Sequence, residues 1–456
     1  MKRLILLTAC LIFISPLFAA FNSLGIPDSS EIRSKLQEEW FEASLETVRG
    51  KPAETYFGNT GEEFQVRMEE SESTFNIFVS PHAVIQVNVV TDKYSYTDLQ
   101  DVYPGDAPGS WVLVRDKSNG KPLRIRYYFL KNSEVYVQFS PSSNSKTAVS
   151  DLVIFNNYAA RGVPTGIPFE KFYSASFEDI MNYTKGKLPW NYVLADKDKY
   201  INVRQMVNVI RSKLSKIKYL SNAVYDEDNN LVDIFSGKEI PAEEIEKNKL
   251  MLSSWGFLKW IADGLVEPVS NGRLKRLPLL ATTVEVKENG HLGTMSREFN
   301  LFFALDWIRN LASGVISVYS GTTYKPNQSG VDVTINPFAS SITEKGVSNT
   351  VTFIENSGYV IPNLKAVLYV LASTEPGSFY FAALRETDRT VTPEVKVFNQ
   401  CLVLFPYFKD DGSFACVVFK DGREISLEEF CKVYSEDYIY LTRVKASDRF
   451  YPEPLN

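Results

Sequence analysis

Cys401-Leu402-Val403-Leu404-Phe405-Pro406-Tyr407-Phe408 and Ser413-Phe414-Ala415-Cys416-Val417-Val418-Phe419 are two apolar runs of strand length, separated by Lys409-Asp410-Asp411-Gly412. Short runs rich in β-branched and aromatic residues, joined by an Asp-Gly turn, predict an antiparallel hairpin. Upstream the period is helical. Val203, Met206, Val207, Ile210, Leu214 and Ile217 keep to one helix face, and Arg204, Arg211, Lys213 and Lys216 to the other, which reads as a solvated face. Further helices are expected from Pro241 to about Gly264 and from Ser296 to about Ser313, then strands at Val351–Ile354 and Phe379–Leu384. Beyond the hairpin, Ser426-Leu427-Glu428-Glu429 is a capping box opening a short helix, and Tyr438–Val444 reads as a last strand. Helices followed by antiparallel strands is α+β order, so residues 191–456 are expected to form an α+β domain.

The first part of the chain has a different period. Ile32, Leu36 and Trp40 mark one helix that Gly50-Lys51-Pro52 stops. Strand-like runs follow at Phe64–Met68, Phe75–Val79, Val84–Val89, Ser110–Arg115, Pro122–Leu130, Glu134–Phe139 and Asp151–Phe155, with a hairpin turn at Ser118-Asn119-Gly120. Residues 21–190 are therefore expected to be a β-rich, sandwich-like domain with an N-terminal helix.

Residues 1–20 read as a secretory signal peptide. Lys2 and Arg3 are the positive start, Leu4–Leu17 is almost wholly apolar, and Leu17-Phe18-Ala19-Ala20 offers small residues for cleavage. Leu7-Thr8-Ala9-Cys10 has the shape of a lipoprotein box, but the apolar run before Cys10 is shorter than the roughly 7–15 residues such a signal uses. No later stretch is apolar enough to span a bilayer, so no integral span is expected after processing. At 456 residues, with 44% hydrophobic and 23% charged residues, the chain is an ordinary globular composition long enough for two domains. Loss of Lys2 and Arg3 takes the net charge from −6 to −8, which with no Lys/Arg block argues against a nucleic-acid partner. Cys401, Cys416 and Cys431 would remain, enough for at most one disulfide.

Little in the sequence carries ordinary catalytic chemistry. The two histidines, His82 and His291, lack neighbours at metal-ligand spacing and are expected in surface or loop positions. Asp226, Asp228 and Asn230 alternate like calcium ligands, but Leu231 and Gly237 stand where the turn glycine and the bidentate acid belong, so a polar turn is expected. Six tryptophans (Trp40, Trp111, Trp190, Trp255, Trp260, Trp307) could form a sugar-stacking platform, yet four lie in segments read as helices, where aromatics are ordinarily core. No metal and no cofactor is expected.

Ser253-Ser254-Trp255-Gly256-Phe257-Leu258-Lys259-Trp260 resembles the Asp-Cys-Ser-Gly-Phe-Val segment that opens the nucleophile helix of NlpC-type cell-wall peptidases, which have a papain-like fold. Cys401-Leu402-Val403-Leu404-Phe405 is similar to their His-Val-Gly-Ile-Tyr strand, and the order of helix and strands is theirs. The match covers about a tenth of the chain. Aligned on Gly256-Phe257, Ser254 takes the nucleophile's place, Ser253 the preceding acid's, and Cys401 that of the catalytic histidine, with Asn399 and Gln400 beside it. A thiol hydrolase needs a thiolate and a base. The resemblance thus implies a degenerate member, with Ser254 and Cys401 as relic positions and Trp255, Asn399 and Gln400 as binding residues. Taken alone, Trp255, Phe257, Leu258 and Trp260 are equally the core side of a buried helix.

The reading that follows is an exported envelope protein that binds peptidoglycan or another envelope protein without cutting it. A hydrolase using carboxylates such as Glu298, Asp306 and Asp332, and an adhesin or solute receptor working through the β-rich domain, are the alternatives. If the export signal is read correctly, N-terminal sequencing of the secreted protein gives Ala20 or Phe21 as its first residue. An intact Met1, or a lipid on Cys10, would contradict it.

Overall fold

The computed structural model describes residues 25–453, apart from 92–93, 144–145, 195, 287–294, 296–298, 344–345 and 349–351; the expected signal peptide, His291 and Glu298 lie outside the described residues. The protein is α+β. It divides into two compact units, one of residues through Ala195 with Phe338–Val347 and Asp411–Ser413, the other of Asp196–Pro337, Ser348–Asp410 and Phe414–Asn456.

The first unit is one large antiparallel sheet. Its strands are β1 (Glu54–Phe57), β2 (Glu63–Glu70), β3 (Thr74–Pro81), β6 (Trp111–Asp116), β7 (Pro122–Tyr127), β8 (Val135–Pro141), β9 (Ala148–Ile154) and β10 (Asn157–Pro164), hydrogen-bonded in that order. Between β3 and β6 the chain makes a separate hairpin of β4 (Ala83–Val90) and β5 (Ser95–Val102). Alternation does the work expected of it: Phe64 and Val66 on β2 and Phe75, Ile77 and Val79 on β3 are wholly buried, with less buried residues between them. Helical segments pack against this sheet. Phe172 stacks on Phe139 at 3.9 Å, Phe177 meets Tyr127 edge-on at 5.6 Å, and Arg33 lies 3.8 Å over the Trp111 ring. These come from helices α1 (Ser30–Leu36) and α3 (Phe177–Tyr183) and a 3₁₀ turn at Phe169–Tyr173; α2 (Leu45–Arg49) adds the buried Val48.

The second unit is built on a seven-stranded antiparallel sheet. Short strands β11 (Ile217–Tyr219) and β14 (Leu250–Leu252) pair in parallel, and β12 (Ala223–Tyr225) and β13 (Leu231–Asp233) form a hairpin, whereas the paired β15 (Ser341–Thr343) and β16 (Gly346–Ser348) fall almost wholly within the Phe338–Val347 stretch of the first unit. The main sheet runs β17 (Phe353–Ile354), β18 (Gly358–Val360), β23 (Tyr438–Lys445), β19 (Ser378–Asp388), β20 (Val395–Phe408), β21 (Phe414–Lys420), β22 (Arg423–Ile425). Helices α5 (Ser254–Ser270) and α6 (Phe303–Ser320) pack on it, sharing one core with Phe379, Phe381, Cys401, Val403, Phe405 and Phe419, and with Val203, Met206, Val207 and Ile210 of α4 (Ile201–Lys213). Helix α7 (Leu364–Thr374) also packs against β20, Tyr369 meeting Phe408 at 5.1 Å, and α8 (Leu427–Val433) follows β22. The expected helix from Pro241 to Gly264 is shorter: Leu250-Met251-Leu252 pair with Ile217–Tyr219 as a strand, and the helix starts only after Ser253. The helix placed at Ser296–Ser313 runs Phe303–Ser320.

In the first unit one buried charge is decisive. Arg33 is wholly buried, bonded through Nε to Asp28 at 2.5 Å and stacked on Trp111, while the other oxygen of Asp28 accepts the Phe177 N–H at 2.8 Å. Breaking such a pair from one side strands a charge. Asp28→Ala should therefore lower stability by about 3–5 kcal/mol in urea denaturation, and Arg33→Met by clearly less. A loss below about 1 kcal/mol, the range of an exposed pair, would contradict it.

Candidate functional site

Ser253 sets where α5 begins. Its backbone is extended, its hydroxyl donates to the Ala223 carbonyl at 2.9 Å, and its oxygen accepts the Gly256 N–H at 3.2 Å. Gly256 is required by contact: a Cβ there would stand 2.3 Å from the Ala223 carbonyl oxygen. One turn further, Phe257 meets Phe419 of β21 edge-on at 6.5 Å, which lays the helix's first turns over β20 and β21.

Strand β21 ends at Lys420, and Asp421-Gly422, both with positive φ (52° and 69°), turn the chain tightly into β22. The Asp421 carboxylate accepts the Ser254 hydroxyl hydrogen and pairs with the Lys420 ammonium at 2.6 Å. Cys401 lies in the neighbouring strand. Since Val403 pairs with Phe419, the antiparallel register carries Cys401 opposite Asp421, and on its other side Cys401 pairs with Ala383. Cys401 is fully buried; desolvation, and after it the charge of Asp421, push its thiol well above the ordinary range.

Ser254 and Cys401 are thus brought to one corner with Asp421 as common neighbour. Among the described residues no imidazole stands at this corner. Ser254 offers its proton to a carboxylate already paired with a lysine, and Cys401 stays a thiol with no imidazole among its described neighbours. His82 belongs to the other unit, where it bonds Asp101 at 2.8 Å. Of the expected binding residues, Gln400 donates to Glu386 at 2.7 Å. Asn399 is exposed at the bulge where the β19–β20 register shifts between Leu384 and Arg385. Trp255 is half-buried, edge-on to Phe303 at 4.9 Å, and its carbonyl accepts the Trp307 indole N–H, so its ring serves packing. The other five tryptophans are buried, which removes the sugar platform.

Asp421 also forms part of a groove of about 420 Å³, with Lys420, Arg423, Glu429, Tyr219 and Tyr434 among its walls. Sequence reasoning missed this feature, although Asp421-Gly422 after a β run is a readable turn signal. Arg211 and Glu424, bonded at 2.6 and 2.7 Å, flank it.

The carboxylates considered for a hydrolase meet in a different place. Asp306 accepts the N–H (2.7 Å) and hydroxyl (2.6 Å) of Thr283; Arg309 donates to Thr283, to Tyr440 at 2.8 Å and to Asp332 at 2.9 Å. Burial raises the pKa of Asp306. One oxygen of Asp306 is held by Thr283 and one of Asp332 by Arg309. The Asp226–Asn230 string is the β12–β13 turn, with Asp226 accepting the Asp228 and Asn230 N–H groups, and no metal-ligand cluster occurs among the described residues. The three cysteines are free thiols.

Residues 22–192 match a family described as Domain of unknown function (DUF8515). No curated protein and no solved structure matches the chain. No helix among the described residues is long and apolar enough to cross a membrane.

The geometry predicts a reactivity order for the thiols. With Cys401 closed in the core and Cys431 only half-buried on α8, native alkylation followed by peptide mapping at pH 8 should modify Cys401 at least ~100-fold more slowly, because its reaction requires opening of the core. Comparable rates for the two cysteines would place Cys401 at an accessible site.

Proposed function

We propose that this is an exported envelope protein whose second unit binds cell-wall peptide or an envelope partner, without cleaving it, in the groove beside the Ser254–Asp421 corner. The observation that carries the reading is the corner itself. A helix N-terminus against the sheet, with Ser254 and Cys401 meeting at Asp421, suits the degenerate peptidase arrangement expected from the sequence, and neither side chain is equipped for nucleophilic attack. The neighbouring groove carries both charges, Lys420 and Arg423 with Asp421 and Glu429, which suits a ligand bearing ammonium and carboxylate groups.

A second reading rests on the β4–β5 hairpin. Val84, Ile85, Val90, Tyr94, Tyr96 and Leu99 are exposed along it, an apolar surface that an adhesin or receptor could use.

The secreted protein should co-sediment with purified peptidoglycan and release no muropeptides from it. Arg423→Glu should weaken the binding about tenfold, the effect of losing some 1.4 kcal/mol, while a variant with Val84, Ile85 and Leu99 changed to serine retains it. Muropeptide release would turn the assignment to a hydrolase. Binding lost in the hairpin variant and kept in Arg423→Glu would turn it to the first unit.

A further inference from the structure

A second cavity, of about 240 Å³, lies along α5 and has no part in the corner described above. Its walls hold an unusual charge set. Lys259, Asp263 and Glu267 fall at i, i+4 and i+8, so they line one face of α5 at successive turns. The Lys259 side chain is 1% exposed, and its ammonium donates to Asp263 at 2.6 Å. Its two other donors find no protein acceptor among the described residues. The remaining Asp263 oxygen accepts the Leu274 N–H at 2.9 Å. At the other end, Arg273 bonds Asn229 and Glu453 and approaches Glu267 at 3.6 Å. Three carboxylates (Asp263, Glu267, Glu453) thus face two cations. Burial raises the pKa of Glu267; the charge of Arg273 opposes the shift, and the nearness of Glu453 adds to it.

The C-terminal segment closes the cavity's rim. The Tyr451 N–H donates to the Gly264 carbonyl at 2.9 Å, and a Cβ at residue 264 would stand 2.9 Å from Pro452, so glycine lets the segment lie flat on the helix. The Trp260 indole N–H reaches the Glu453 carbonyl at 3.4 Å.

A buried ammonium with open donors calls for oxygen acceptors, and a surplus carboxylate at the opposite end calls for a cation. We propose that this cavity binds a small zwitterion, an amino acid or a dipeptide, whose carboxylate takes the open donors of Lys259 and whose ammonium sits between Glu267 and Glu453. Water can fill a polar cavity of this size, but it cannot supply the missing positive charge. The site is independent of the groove assigned to cell-wall binding, and either can fail without the other.

Calorimetric titration of the secreted protein tests it, with L-alanine, D-alanine and D-alanyl-D-alanine as ligands, and propionate and ethylamine as probes that each lack one charge. At least one zwitterion should bind, at least about tenfold tighter than either probe, and the amino-acid and dipeptide arms decide the length the cavity takes. Lys259→Met should abolish binding; if that variant does not fold, Glu453→Gln at the half-exposed rim should still weaken it about tenfold. Propionate binding as tightly as alanine, no saturation by any zwitterion up to about 10 mM, or unchanged affinity in Glu453→Gln would overturn the proposal.

Discussion

Helix α5 can lie as deep as it does only because residue 256 has no side chain. The Ala223 carbonyl occupies the place a Cβ would take, 2.3 Å away, and the same carbonyl accepts the hydroxyl of Ser253, which caps the helix. Depth and starting point are therefore fixed by one backbone group. From that seat everything else on the helix follows. Ser254 reaches the β21–β22 turn, Phe257 packs on Phe419, and Lys259 and Asp263 are carried into the protein instead of into solvent. Gly264 repeats the device two turns on, where the incoming chain is the Phe450–Glu453 segment.

Depth has an energetic consequence. A surface pair such as Arg211–Glu424 contributes about 0–1 kcal/mol, and its loss would leave two hydrated side chains. Lys259, Asp263, Asp306 and Arg309 are buried where desolvation of an ion costs several kcal/mol, so losing a partner there costs more than at the surface. The two clusters differ in completeness. In the Arg309 network, Thr283, Tyr440 and Asp332 take the guanidinium's donors, and the network reads as structural. Lys259 has one hydrogen-bond partner, Asp263, among the described residues, and a cavity beside it.

Much of the architecture was legible because period and turn chemistry agreed. β2 and β3 alternate, the Cys401–Phe419 region is a hairpin, and Ser426 caps a helix. Where the reading failed, one of those signals was missing or misleading. Leu250-Met251-Leu252 look like the middle of a helix, and only pairing with Ile217–Tyr219, thirty-odd residues away, makes them a strand. β5, Ser-Tyr-Thr-Asp-Leu-Gln-Asp-Val, is exposed almost throughout, so no core imposes alternation on it. α7 is apolar on nearly every side, with Leu364, Ala366, Val367, Leu368, Tyr369, Val370 and Leu371 all buried, and a helix buried all round has no stripe to read. Of the candidate site, Ser254 and Cys401 were found through resemblance. Asp421, which joins them, was not, since its role depends on a register that relates residues 401 and 421 only after folding.

That register also sets the electrostatics of the corner. The N-terminus of a helix favours negative charge, and in a thiol enzyme this lowers the pKa of the cysteine placed there. Here the negative charge at the end of α5 is Asp421, delivered by the turn between β21 and β22 and held by the Ser254 hydroxyl. A carboxylate already in that position opposes formation of a second anion beside it, and Cys401 feels the same charge from the neighbouring strand. An electrostatic arrangement able to activate a nucleophile is spent on fastening a hairpin turn to a helix. A cysteine at 254 and a histidine at 401 would both still face Asp421, and the histidine would have to fit where a wholly buried thiol now packs.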